Sequence, residues 1–125
     1  MGVYTEFHFY TTLKEDTPKS VIHVLKYMLD REFIPSDLPN HPLFETRRWH
    51  YMFSCTGGNF DAETRSRLFF DDDLYYLNIR CRFKNYDDEI NLFTDWIRPY
   101  LNKRTDDFLG YYRHEESQVP ILIYA

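Results

Sequence analysis

"LYYLNIRCRFK", residues 74–84, decides how this chain folds. Tyr75, Leu77, Ile79, Cys81 and Phe83 alternate without a break with Tyr76, Asn78, Arg80, Arg82 and Lys84. A period of two places the first set on one side of a pleated strand and the second on the other. The first set is mostly apolar; the second carries three cations. The segment therefore predicts a strand with one face on a core and the other toward solvent.

Toward the C-terminus, "NYDDEINLFTDWIRPYL" (residues 85–101) changes the period to that of a helix. Asn85 or Asp87 can cap it, and Asp87, Asp88 and Glu89 fall in the first turn, where the helix dipole favours negative charge. Ile90, Phe93 and Ile97 share one face, with Leu101 close to it. Pro99 removes a backbone donor, so the helix should kink or fray over residues 95–99. Residues 108–125 read as strand again. A turn at Ser117–Gln118 would fold them into a hairpin, since Pro120 cannot donate to a central ladder.

Toward the N-terminus, "FFDDD" (residues 69–73) reads as a turn entering the central strand, and "TGGN" (residues 56–59) as another. "RRWHYMFSC" (residues 47–55) predicts a second strand. Trp49, Tyr51, Phe53 and Cys55 would face one way, and His50, Met52 and Ser54 the other. Residues 31–47 form a long loop that Pro35, Pro39 and Pro42 keep out of regular pairing, with Leu38 and Phe44 pinning it to the body. "DTPKSVIHVLKYMLDRE" (residues 16–32) predicts a helix capped by Thr17, with Pro18 in its first position and Val21, Leu25, Met28 and Leu29 as an apolar stripe. In the first segment Val3, Thr5, Phe7 and Phe9 alternate with Tyr4, Glu6, His8 and Tyr10, which predicts a half-buried strand.

The order strand, helix, strand, strand, helix, strand resembles the ferredoxin-like α+β superfold over nearly all of residues 1–125, read as a single domain. The resemblance implies an antiparallel sheet in the order 4-1-3-2, both helices on one face and the other face open; the turn at Ser117–Gln118 would add an extra C-terminal hairpin strand. It implies no particular function, because that fold hosts many. The cysteine spacing of an iron–sulfur ferredoxin is absent.

Composition narrows the function classes. The chain has 125 residues, 43% of them hydrophobic and 19% aromatic, which is enough for a sizeable core. A net charge of −5 argues against a general nucleic-acid binder. The charge is uneven, however. Residues 47–84 hold seven basic residues against five acidic ones, so an acidic protein carries a local cationic stripe. No signal peptide or membrane span is evident, and the expected location is cytoplasmic. Glu6 stands where a myristoylation motif would need Ser or Thr.

Candidate site residues follow from the open face. Tyr4, Glu6, His8 and Tyr10 would come from the first strand, His50 and Met52 from the second, and Tyr76, Asn78, Arg80 and Arg82 from the third. In the last strand, Tyr112, His114 and Glu116 would join them, while Arg113 and Glu115 would take the other face. The leading expectation is a non-catalytic binding module that uses this face and the loop at 31–47 to hold a protein partner or a second copy of itself. The alternative is a small-molecule enzyme in which His8, His114 and Glu6 act as acid–base groups. The third is nucleic-acid binding through the basic and aromatic residues. No cofactor or metal is expected: consecutive Asp71, Asp72 and Asp73 do not converge on a strand, and His41 with His50 lacks further ligands. Pairing of residues 47–55 with 74–84 would set Cys55 and Cys81 about 20 Å apart at ~3.3 Å per residue, leaving two free thiols.

Overall fold

A computed structural model describes residues 3–125. Met1 and Gly2, and with them the myristoylation reading, lie outside the described residues. The elements run β1 (Thr5–Thr12), α1 (Lys19–Asp30), β2 (Arg67–Asp71), β3 (Leu74–Phe83), α2 (Glu89–Ile97), β4 (Phe108–His114) and β5 (Ile121–Tyr124). Short 3-10 turns stand at Pro42–Glu45 and Arg98–Tyr100. The fold is α+β: two helices on a five-stranded antiparallel sheet in the order β2-β3-β1-β4-β5.

The alternation in β3 holds. Leu77, Ile79, Cys81 and Phe83 are buried, while Asn78, Arg80 and Arg82 lie on the other face. In β1, Phe7 pairs with Cys81 and Phe9 with Ile79, so their side chains join the same apolar layer. Val21, Leu25 and Met28 of α1 and Ile90, Phe93 and Ile97 of α2 close that layer from one side. Phe93 is its hub, packing against Phe7, Phe9 and Phe53 at centroid distances of 6.2, 5.4 and 5.0 Å. Such edge-to-face pairs add about 1 kcal/mol each beyond the area they bury.

Helix ends follow local chemistry. α1 begins after Pro18 with no side-chain cap; the Thr17 hydroxyl instead donates to the Lys14 carbonyl at 2.6 Å. Its C-terminus closes on Arg31 in the left-handed region, whose N–H reaches Tyr27 O. α2 stops at Ile97, two residues before Pro99, and tightens into the 3-10 turn.

The second strand is not where the alternation of residues 47–55 placed it. Those residues form successive turns, with Tyr51 N donating to Arg48 O and Ser54 N to Tyr51 O. Trp49, Met52 and Phe53 are all buried. A strand would have sent Met52 away from Trp49 and Phe53, whereas a turn at the spacing i, i+3, i+4 delivers all three to the core. The strand that pairs with β3 is instead Arg67–Asp71, joined to it by Asp72 and Asp73. Both aspartates have positive φ (50° and 65°), as a two-residue hairpin loop matched to strand twist requires. Asp tolerates that region better than most residues.

This relocation also moves the cysteines. Thr56 bridges Arg82 in parallel, and Arg82 N donates to Cys55 O at 3.3 Å, so Cys55 lies beside Cys81 and not about 20 Å away. Both thiols are free.

Candidate functional site

The outward face of the sheet divides into two ends with different chemistry. Register sets which side chains share it: Glu6 pairs with Arg82 and Arg113, His8 with Arg80 and Tyr111, and Tyr10 with Asn78. On the far side of β3, Arg67 pairs with Asn78 and Phe69 with Tyr76.

One end is closed. Residues 57–63 cross it from the β3 side toward the β4 side and return to β3 at Glu63. Phe60 O accepts from Arg82 Nη1 at 3.2 Å, and the Asn59 N–H donates to Glu115 Oε2 at 3.1 Å. Gly57 and Gly58 lie against the Tyr4 side chain so closely that a β-carbon would overlap its ring at Gly57 and its Cβ at Gly58, and Gly58 has a φ of 87°. Lys84 approaches the Tyr4 ring as well, 5.6 Å from its centroid. Beneath this strap Arg113 and Glu6 satisfy each other, whereas among the described residues Arg82 has no carboxylate and its Nε is buried without a partner. Arg113 Nε donates to Glu6 Oε1 at 3.0 Å and Arg113 Nη1 to Ser117 O, while the guanidinium sits over the Phe60 ring. His8 stacks on Tyr111 at 4.6 Å and faces Glu6 Oε2 at 3.5 Å. Glu6 and His8 are both only 7% exposed. Burial lowers the His8 pKa from its ordinary value, against the pull of Glu6. Burial likewise raises that of Tyr111. Glu6 is thus consumed by Arg113, and neither it nor His8 is open to a ligand.

The other end is open. Tyr10, Arg65, Arg67, Asn78 and Arg80 line a basin of about 320 Å³. Arg65 N donates to Arg80 O at 2.7 Å and Arg80 N to Ser66 Oγ at 3.2 Å, which fixes the backbone around it. Arg80 Nε is held by Glu63 O at 2.7 Å, and the Arg67 guanidinium lies 4.2 Å over the Phe69 ring. Among the described residues, no carboxylate forms an ion pair with Arg65, Arg67 or Arg80.

Four residues expected on this face are elsewhere. His114 points to the opposite side, with Nδ1 2.8 Å from Thr5 Oγ1, because it is Arg113 that lies across from Glu6. Tyr112 goes with it into the core. The last strand therefore divides as alternation requires, but with the two faces exchanged. His8 and His114 lie on opposite sides of the sheet and form no acid–base pair. Met52 is fully buried. His50 sits between Trp49 and Tyr51, where burial and the nearby Arg31 lower its pKa.

The loop at 31–47 also lies away from the outward face. Phe44 packs on Trp49 and Trp96, on the helical side, and His41 Nε2 meets Asp95 at 2.9 Å. Reasoning from the sequence missed Arg65 and Arg67, although "RSRLFF" ahead of a two-aspartate turn carried a hairpin signal. Among the described residues, no group of three His, Cys, Asp or Glu side chains is placed to hold a metal ion, and no helix is long and apolar enough to cross a membrane. No protein-family model, curated protein or solved structure matches this chain.

Proposed function

We propose that the chain is a single ferredoxin-like domain acting as a non-catalytic binding module, and that its partner presents an anionic group to the open end of the outward sheet face. Read from its other edge, the sheet order contains 4-1-3-2 with β5 added outside it, which supports the ferredoxin-like reading. The single observation that carries the binding reading is the convergence of Arg65, Arg67 and Arg80 on one basin without a counter-ion, on a chain whose net charge is −5. Like charges gathered without compensation cost stability through mutual repulsion, and an anion offsets that cost.

The aromatic residues speak against nucleobase recognition. Phe69 and Tyr76 stack on each other at 5.0 Å and 9°, and Arg67 covers Phe69 as well. His8 and Tyr111 likewise stack on each other. Sheets that bind single strands keep such ring faces free for bases.

Titrating isotopically labelled protein with a short polyglutamate peptide tests the reading. Amide shifts should concentrate at Ser66, Arg67, Asn78 and Arg80. Shifts confined to α1, α2 or residues 31–47, or no shifts at millimolar peptide, would overturn it.

A further inference from the structure

We infer that the basin formed by Arg65, Arg67, Arg80, Asn78 and Tyr10 is a site for a phosphate monoester. The inference rests on the anionic reading above and names the anion.

The basin is rich in hydrogen-bond donors. Each guanidinium presents a planar fork of N–H groups and accepts nothing. Arg80 has committed Nε to Glu63 O, which leaves its two terminal nitrogens. Arg67 is steadied by the Phe69 ring. Tyr10 adds a hydroxyl and Asn78 a side-chain amide. A carboxylate has two oxygens in one plane and is matched by one or two such forks. Three forks with a hydroxyl and an amide exceed what one carboxylate accepts. A phosphate monoester has three terminal oxygens in a pyramidal arrangement and carries roughly −1.5 to −2 charge near neutral pH. It can be approached from three sides at once, and its charge offsets most of that of three arginines.

Size and order agree. The basin, at about 320 Å³, is at the small end for ligand pockets and suits a phosphoryl group with the few atoms attached to it. Two of the three arginines are already held, by Glu63 O and by the Phe69 ring, so less side-chain freedom is lost on binding. Both neighbouring aromatic pairs are stacked internally, so affinity would come from the phosphoryl group and not from an attached ring.

A phosphoryl group of this kind occurs on a free small ester or on a phosphorylated side chain of another protein. Calorimetry on the full chain separates these sources with three probes: free O-phosphoserine, a phosphoserine hexapeptide with uncharged flanks, and the same peptide with glutamate in place of phosphoserine. The phosphoserine peptide should bind at least about tenfold more tightly than the glutamate peptide, the scale of one additional charge-assisted hydrogen bond. Arg65→Gln combined with Arg67→Gln should weaken phosphoserine binding by about tenfold or more, and Arg80→Lys, which keeps the charge and loses the fork, should weaken it too. Equal affinity for the free ester and the phosphopeptide supports the proposal and assigns a small ester. Tighter binding of the phosphopeptide supports it and assigns a phosphorylated chain. Equal affinity for the phosphoserine and glutamate peptides, both lost in the Arg65/Arg67 variant, overturns the phosphate assignment and leaves the anionic reading standing. Absence of binding by every probe overturns both.

Discussion

The two ends of the outward face are built on the same strands and carry the same residue types, yet only one of them lies under the strap and holds a cation paired with a buried acid. At the closed end Arg113 lies against Glu6, Arg82 donates to Phe60 O, and the strap at 57–63 covers them. At the open end Arg65, Arg67 and Arg80 share a basin, and among the described residues no carboxylate pairs with them. An arginine held by a buried acid belongs to the structure of the protein. An exposed arginine held only by a backbone carbonyl or a ring face keeps its charge available; Arg82, also without a carboxylate among the described residues, is covered by the strap. The residue type alone does not distinguish the two; the strap and the Glu6 counter-ion do. Stability should therefore reside mainly at one end and affinity at the other.

Breaking the closed end at its register should have the largest effect. Gly110 sits where β4 passes β1, and a Cβ there would overlap the His8 carbonyl. Backbone cannot yield as a flexible side chain can, so Gly110→Ala should cost about 3 kcal/mol in chemical denaturation, or prevent folding. A cost below ~1 kcal/mol would mean that β4 can shift, and with it the pairing of Arg113 with Glu6.

Removing the buried acid is the next test. Glu6→Ala leaves Arg113 without its partner and His8 without its neighbour, and should cost about 2 kcal/mol, discounted because Arg113 is partly exposed. The same measurement on Arg67→Ala should show a change within about 0.5 kcal/mol, since that side chain is exposed and unpaired by any acid.

A smaller effect links the closed end to pH. Burial holds His8 below its ordinary value of 6.5 in the folded chain. As pH falls below 6.5 the unfolded chain takes up the proton first, so stability present above 6.5 is lost as pH drops toward the folded value. His50 acts in the same direction. Glu89 acts oppositely: burial raises its carboxyl above 4.5, giving stability that is present below 4.5 and lost as pH rises through the folded value. Replacing His8 by Gln should flatten the decline between about pH 7 and 5 in urea midpoints. An unchanged slope would assign the decline to other groups.

The smallest expected effect concerns reactivity and leaves the fold unchanged. Cys81 is fully buried, and burial raises its thiol well above the usual value, whereas Cys55 is partly exposed. Under native conditions an alkylating reagent should modify Cys55 well before Cys81, as read by mass spectrometry of the digested protein. Equal rates would mean that the edge where Thr56 bridges Arg82 opens readily.

What was legible in the sequence follows from how local each cause is. β3 and the Ile90–Phe93–Ile97 stripe were readable because periodicity within one segment decides which face is buried. Residues 47–55 misled because Trp49, Tyr51, Phe53 and Cys55 satisfy a period of two, while Trp49, Met52 and Phe53 equally satisfy i, i+3, i+4. Only the space beneath α2 selects between them, and that space is tertiary. The exchange of faces in β4 has a similar origin. Alternation separates Arg113 from His114, but the register against β1, set by the close approach at Gly110, decides which of them meets Glu6. Within the site, Tyr10, Asn78 and Arg80 were foreseen from alternation. Arg65 and Arg67 were not, since their strand was sought twenty residues too early.

The most direct test of the account is to exchange the two roles in one experiment. Arg113→Gln and the double variant Arg65→Gln/Arg67→Gln are compared with wild type, each for unfolding free energy and for phosphoserine affinity under the same buffer and salt. Arg113→Gln should lose about 1–2 kcal/mol of stability and keep its affinity. The double variant should keep its stability within about 0.5 kcal/mol and lose its affinity by about tenfold or more. The contradicting result is Arg113→Gln abolishing binding while still folded, or the double variant binding as wild type does.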